Sequence, residues 1–167
     1  MAQPEPDIVV LIPRLRRYAR ALTANADLAD DLVQDCLARG LSKMHLWRRG
    51  TDLRAWLFTI MHNLNVNNAR RNRIRPDNQA EPDWRSGSQP AGQDEVVELR
   101  SIVTALRQLP EEQRAVVVLV GIEEMSYREA ADILAIPVGT VMSRLARGRE
   151  RLRQLTGQGD RRGATGP

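Results

Sequence analysis

One stretch constrains this chain more than any other: Ser126 to Arg153, which reads SYREAADILAIPVGTVMSRLARGRERLR. Its pattern predicts a short helix, a tight turn and a longer basic helix. Ala131 is small where two helices must cross closely, and Ile133 and Leu134 are apolar. Ala135 and Ile136 lead into the turn, and Pro137 suits the first position of the next helix. Beyond it Val141, Leu145, Gly148, Leu152 and Leu155 recur at alternating four- and three-residue steps, lining one helical face. The opposite face offers Thr140, Ser143, Arg144, Arg147 and Arg151. An apolar stripe of this kind seats a helix on its own domain, while hydroxyl and guanidinium donors reach base edges and phosphates in a major groove. A surface helix with merely solvated arginines has the same composition. The compatible first helix and turn ahead of this one favour a DNA-reading helix-turn-helix.

The rest of the chain fits an all-α protein. Its 167 residues suffice for one ordinary domain or two small helical ones. Only 4% are aromatic, which favours helices with modest cores over a β-sandwich. Charge is distributed unevenly. Residues 1–75 hold thirteen basic and seven acidic residues, residues 76–98 one and six, and residues 99–167 eleven and eight. Two basic blocks thus flank an acidic connector, a pattern suited to a polyanionic partner. The single cysteine, Cys36, sits among Leu32, Val33 and Leu37 and reads as a buried thiol; no intrachain disulfide is possible. No apolar run approaches the roughly 18 residues of a membrane span, and the apolar start at Ile8 is broken by Pro13 and Arg14, so a cytoplasmic location is expected. His45, His62 and Cys36 are the only soft ligands, and no metal, phosphate-loop or triad motif accompanies them. No catalytic residue, metal site or cofactor is expected.

In order, residues 7–23 carry a stripe of Ile8, Leu11, Ile12, Leu15, Tyr18, Ala19 and Leu22, with Pro13 placing the start of the regular helix near itself. Asn25 or Asp27 caps a second helix with Leu28, Leu32, Val33 or Cys36, and Leu41 inward. After the loop Arg48–Asp52, a third helix buries Leu53, Trp56, Leu57, Ile60 and Leu64, then turns polar and basic through His62, Asn63, Asn65, Asn67, Asn68, Arg70, Arg71 and Arg73. Residues 76–95 read as a flexible acidic linker, too polar to bury a core. A second helical block, 96–156, places Val96 or Val97, Leu99, Ile102 or Val103, Leu106 and Leu109 inward, with Ala115 to Val120 as its central helix, Gly121 as its stop and Ser126 as the next cap. Residues 157–167 form a Gly- and Arg-rich tail, expected to be disordered.

Four separated motifs carry a family likeness: Asp30-Asp31-Leu32-Val33-Gln34-Asp35, Thr51 to Ile60 (TDLRAWLFTI), Leu109 to Arg114 (LPEEQR) and Pro137 to Val141 (PVGTV). Across residues 10–155 the sequence resembles bacterial sigma factors of the extracytoplasmic-function group. The resemblance implies a subunit that binds core RNA polymerase, directs it to −35/−10 promoters and helps melt the duplex. It implies that Asp30, Asp31, Gln34 and Asp35 dock on the clamp of the largest polymerase subunit, while the second domain meets the flap of the second-largest. Trp47, Arg48, Arg49, Asn63 and Asn67 would then read the −10 element, with a flipped base held by the loop, and Arg70, Arg71 and Arg73 would hold backbone. Thr140, Met142, Ser143, Arg144, Ala146 and Arg147 fall at −35 contact positions, with Arg114 and Arg128 on phosphates. Met142 departs from the Lys or Arg common there, and Ala135 stands where such turns often carry glycine. The resemblance also implies an anti-sigma protein as partner. Two other DNA-related readings use the same helices: a stand-alone helix-turn-helix regulator, and a sigma-like decoy that captures an anti-sigma protein.

Overall fold

The computed structural model describes residues 7–23, 25–74 and 93–157, with the side chains of all of these except 73–74 and 93–100. Arg73's side chain, residues 75–92, residues beyond 157 and the side chains of Val96, Val97 and Leu99 therefore lie outside the described residues, and residues 93–95 of the expected 76–95 linker are instead the start of a helix. Among those described there are seven α-helices and no strand: α1 (Ile8–Leu22), α2 (Ala26–Ser42), α3 (Leu53–Ile74), α4 (Gln93–Gln108), α5 (Glu111–Val117), α6 (Tyr127–Leu134) and α7 (Val138–Leu155). A 3-10 turn, Met44–Leu46, follows α2, and a π-helical turn, Val118–Ile122, prolongs α5.

Side-chain caps set the helix starts. Asp7 accepts from the Val9 amide at 3.0 Å, Asn25 from Leu28 at 2.8 Å and Asp52 from Arg54 at 2.8 Å. Pro13 does not delay α1, which begins at Ile8. At the sixth helical position Pro13 forfeits one bond, the one its amide would make to residue 9, and the Asp7 cap offsets it. Ser126 and Glu129 form a reciprocal capping box at α6, at 3.1 and 2.7 Å.

In the first half, α1 buries Leu15, Tyr18, Ala19 and Leu22, and α2 buries Ala29, Leu32, Val33, Cys36 and Gly40. Leu28 and Leu41, expected inward, are exposed because the stripe centred on Leu32 and Cys36 turns both off the contact face. A Cβ on Gly40 would stand 2.8 Å from Leu57 Cδ2, so glycine here lets α2 and α3 cross closely. Helix α3 is buried over a wider arc than its apolar stripe foretells. Leu53, Leu57, Phe58 and Met61 are fully enclosed, while Trp56, Ile60 and Leu64 pack against the core's edge. Tyr18 and Phe58 meet edge to face at 5.0 Å.

In the second half, Ala115 to Leu119 form the central core strip. The chain loosens into the π-turn three residues before Gly121, and the Glu123 amide closes it on the Val118 carbonyl at 2.9 Å. Helix α4 buries Ala105, and Leu109 just past its end is buried as well; of Ile102 and Val103, one of them expected inward, both are exposed along a cleft facing α1. Helix α7 lies across α5, where a Cβ on Gly148 would come within 2.7 Å of Val117 Cγ2. The halves also meet: α1 rests on α5 and its π-turn, and α3 on α6.

Candidate nucleic-acid interface

The candidate reader is built from two helices joined by a tight turn. Helix α6 ends in a Schellman arrangement: the Ile136 amide reaches the Ala131 carbonyl at 3.1 Å and the Ala135 amide the Asp132 carbonyl at 3.4 Å. This requires Ala135 in the left-handed region, at φ 53° and ψ 46°. Pro137 then stands at the N-cap of α7, one residue ahead of its expected place, with its carbonyl accepting from Thr140 and Val141 at 3.0 and 3.1 Å.

On α7, Val141, Leu145 and Gly148 are buried and Leu152 half-buried, as the stripe requires; Leu155 is exposed past the end of the core. Met142, Ser143, Ala146 and Arg147 are exposed on the outer face, and Thr140 is half-buried. The Ser143 hydroxyl donates to the Thr140 carbonyl at 3.1 Å, so it is parked on its own helix. Arg144 is more enclosed. Its Nη2 lies 3.4 Å from Glu112 Oε2, and it borders a cleft of about 390 Å³ shared with His62, Arg70 and Glu111. Arg128 is exposed in the first turn of α6. Arg114 is half-buried, donates to the Arg107 carbonyl at 3.4 Å, and lines the cleft between α1, α4 and α5. Burial lowers its pKa from the ordinary arginine value.

In the first half, Asn63, Asn67, Arg70 and Arg71 are exposed along α3, and Arg48 and Arg49 are exposed on the loop before it. Trp47 is half-buried, its Nε1 enclosed without a partner among the described residues. Trp56 packs on the core, as its place on the stripe implies. Asn65 departs from its polar neighbours: it is buried and donates to Glu111 Oε1 at 2.9 Å. His62 is half-buried beside it, and burial pushes its pKa below the ordinary histidine value against the opposing pull of Glu111. Asp30, Asp31, Gln34 and Asp35 are all exposed on the face of α2 opposite the Leu32–Cys36 stripe. They form an acidic ridge able to meet a basic partner surface.

Sequence reasoning missed the residues that join the halves. Glu123 is fully buried; its Oε1 accepts from Arg17 Nε at 2.7 Å, and its backbone carbonyl accepts from Arg54 Nη1 at 2.9 Å. The carboxylate holds the Arg17 guanidinium still more firmly in its charged form. A partner 106 positions away leaves no periodic trace in a single sequence.

Residues 8–62 match the family model described as the Sigma2 domain of PhyR, and residues 99–152 the one described as Sigma-70, region 4. The chain is 41% identical over 149 residues to the ECF RNA polymerase sigma factor EcfG of Rhodopseudomonas palustris, covering 89% of this chain and 82% of that protein. It belongs to the extracytoplasmic-function sigma factors. Among solved structures, the sigma factor RpoE of Bartonella quintana, crystallised with the anti-sigma factor NepR, superposes with a TM-score of 0.78 at 34% identity, covering 92% of this chain and 96% of that one. CnrH, solved with the cytosolic domain of CnrY, gives 0.64 at 26% identity, covering 92% and 86%. This sigma factor thus carries both family regions on the two halves described. Among the described residues, no helix is long and apolar enough to cross a membrane, and no cluster of three or more His, Cys, Asp or Glu could hold a metal.

Proposed function

We propose that this sigma factor binds core RNA polymerase in the cytoplasm, directs it to −35/−10 promoters and assists melting, without catalysing a reaction itself. Residues 1–75 act as the region-2 domain and 96–156 as the region-4 domain, joined by the 76–95 linker. The observation that carries the reading is the pairing of two donor-rich faces on one chain. Met142, Ser143 and Arg147 are presented outward from a helix seated by Val141, Leu145 and Gly148, and Asn63, Asn67 and Arg71 outward from α3. Asparagine offers a donor and an acceptor on one planar head, suited to the edge of an extruded base. The arginines supply phosphate contacts whose strength falls as salt rises. The Asp30–Asp35 ridge meets the clamp, and the region-4 half the flap.

Run-off transcription with purified core enzyme and genomic fragments tests this reading: specific transcripts are expected only when the chain and core are both present. Tight binding to palindromic duplex DNA by the chain alone would instead favour a stand-alone regulator. The solved complexes of RpoE with NepR and CnrH with CnrY support an anti-sigma partner for this chain as well. A decoy that only captures such a partner would yield no transcript in the same assay.

A further inference from the structure

We propose that α7 reads thymine by its C5-methyl group, with Met142 and Val138 as the side chains that set this preference at the −35 element. The inference deepens the reading of α7 given above and rests on it. In a helix-turn-helix the N-terminal residues of the second helix meet base edges in the major groove. The sequence offers donors there, in Thr140, Ser143 and Arg144. The structure withdraws each of them in part. Thr140 is half-buried, Ser143 donates its proton to the Thr140 carbonyl at 3.1 Å, and Arg144 lies 3.4 Å from Glu112. Gly139 is exposed and carries no side chain. What the first two turns hold out to solvent most freely is apolar: Val138 is 40% exposed and Met142 52%.

Val138, Met142 and the exposed Ala146 stand at i, i+4 and i+8, so they form one row along an edge of the outer face. Arg144, Arg147 and Arg151 fall on the other edge. Singly exposed apolar side chains are commonplace on protein surfaces and need no partner. A row of them beside three arginines, at the start of a reading helix, matches a polyanion that also carries apolar groups. Among the base edges of a major groove, the one such group is the methyl of thymine. Four residues of helix rise about 6 Å. That is close to two base steps at about 3.4 Å each, so Val138 and Met142 can each cover one methyl group. The unbranched thioether of Met142 adapts to the exact position of its methyl. A lysine or arginine at 142 would instead offer donors suited to guanine O6 and N7.

The test uses the full chain bound to core polymerase. Duplexes enriched by this holoenzyme from a random-sequence pool define the −35 element. Each thymine in that element is then replaced by deoxyuridine, which lacks only the methyl group. Filter binding should show a loss of about three- to fivefold at two positions, the effect of removing one buried methyl contact from each. Met142→Ala should abolish the loss at one position and Val138→Ala at the other. Both side chains are exposed, so neither variant threatens the fold. Uracil substitution without cost, an element without thymine, or a cost that persists in both variants overturns the inference while leaving α7 as the −35 reader. A pool from which no sequence is enriched overturns the reading of the DNA faces itself, and this inference with it.

Discussion

Replacing Ala135 by glycine isolates the energetic cost of the turn that aims the reader helix. Ala135 occupies the left-handed region at φ 53°, and its methyl group is exposed, so the side chain contributes little packing to set against the strain. Placing a residue with a Cβ in that region costs roughly 1–2 kcal/mol. Glycine removes the cost, but its freer unfolded chain takes back about 0.4–1 kcal/mol. The net expectation for Ala135→Gly is a gain of about 0.5–1 kcal/mol, or roughly 1–4 °C in melting temperature for a chain of this size. Urea denaturation followed by circular dichroism measures it, with Ala135→Val as counterpart; the β-branched side chain should lower stability by more than the glycine raises it. Affinity for a −35 duplex in the presence of core enzyme should not change, since the Schellman bonds from Ile136 and Ala135 belong to the backbone. A glycine variant that is less stable than the parent would refute the reasoning, because it would show that the turn is unstrained or that the methyl group packs against something.

Arg144→Ala should weaken −35 binding by about 1–3 kcal/mol if the guanidinium reads a guanine, yet leave the melting temperature nearly unchanged. Its partner Glu112 is largely exposed, and such pairs contribute little; filter binding with holoenzyme on wild-type and −35-mutant duplexes separates the two effects. Asn63→Ala should leave polymerase affinity intact and reduce promoter opening, read by permanganate footprinting; undiminished binding of the single-stranded −10 element would remove Asn63 from the site. The Tyr18 hydroxyl is buried with no partner among the described residues, and burial pushes its pKa well above the ordinary value. Tyr18→Phe should therefore stabilise the chain by about 1 kcal/mol in a urea titration, and a loss would reveal an acceptor for that hydroxyl. Burial pushes the Cys36 thiol up to about 12 from 9.0, and the thiol donates to the Leu57 carbonyl at 3.4 Å. The folded state favours the protonated thiol, so this contribution is complete below about pH 9 and is lost as pH rises towards 12. Cys36→Ala should flatten that alkaline decline, and the native thiol should resist iodoacetamide at pH 8.

How much of the fold is readable in the sequence depends on how locally each feature is encoded. The helix-turn-helix is legible because the capping box at Ser126, the stripe from Val141 to Gly148 and the turn at Ala135 each lie within a few residues of their partners. The acidic ridge of α2 is legible for the same reason. Expected and observed helix faces differ where two stripes compete. In α2, Leu28 and Leu41 lose to the face that Ala29, Leu32, Val33, Cys36 and Gly40 present to α1 and α3. In α3, Phe58 and Met61 lie off the expected stripe and are enclosed because the helix packs against α2 on one side and α1 and α6 on another. Asn65 reads in the sequence as one more polar residue on a reading surface, and only the approach of Glu111 from the other half gives it a buried role.

That approach also makes α5 the element on which both the seat of α7 and the contact between the halves depend. Its buried face, Ala115 to Val117, carries α7 through the close crossing at Gly148, and so fixes where the reader points. Its first turn supplies Glu111 to Asn65 and Glu112 to Arg144, and its π-turn ends on Glu123 in the grip of Arg17 and Arg54. A π-turn packs one extra residue into the helix, which rotates the next residues relative to a regular helical continuation. A substitution that restored regular α-helix through Val118–Ile122 would therefore turn Glu123 away from Arg17 without touching the seat of α7. The contact between the halves at Glu123 and the seat of α7 are then separable in this fold, although one seven-residue helix and its extension carry both.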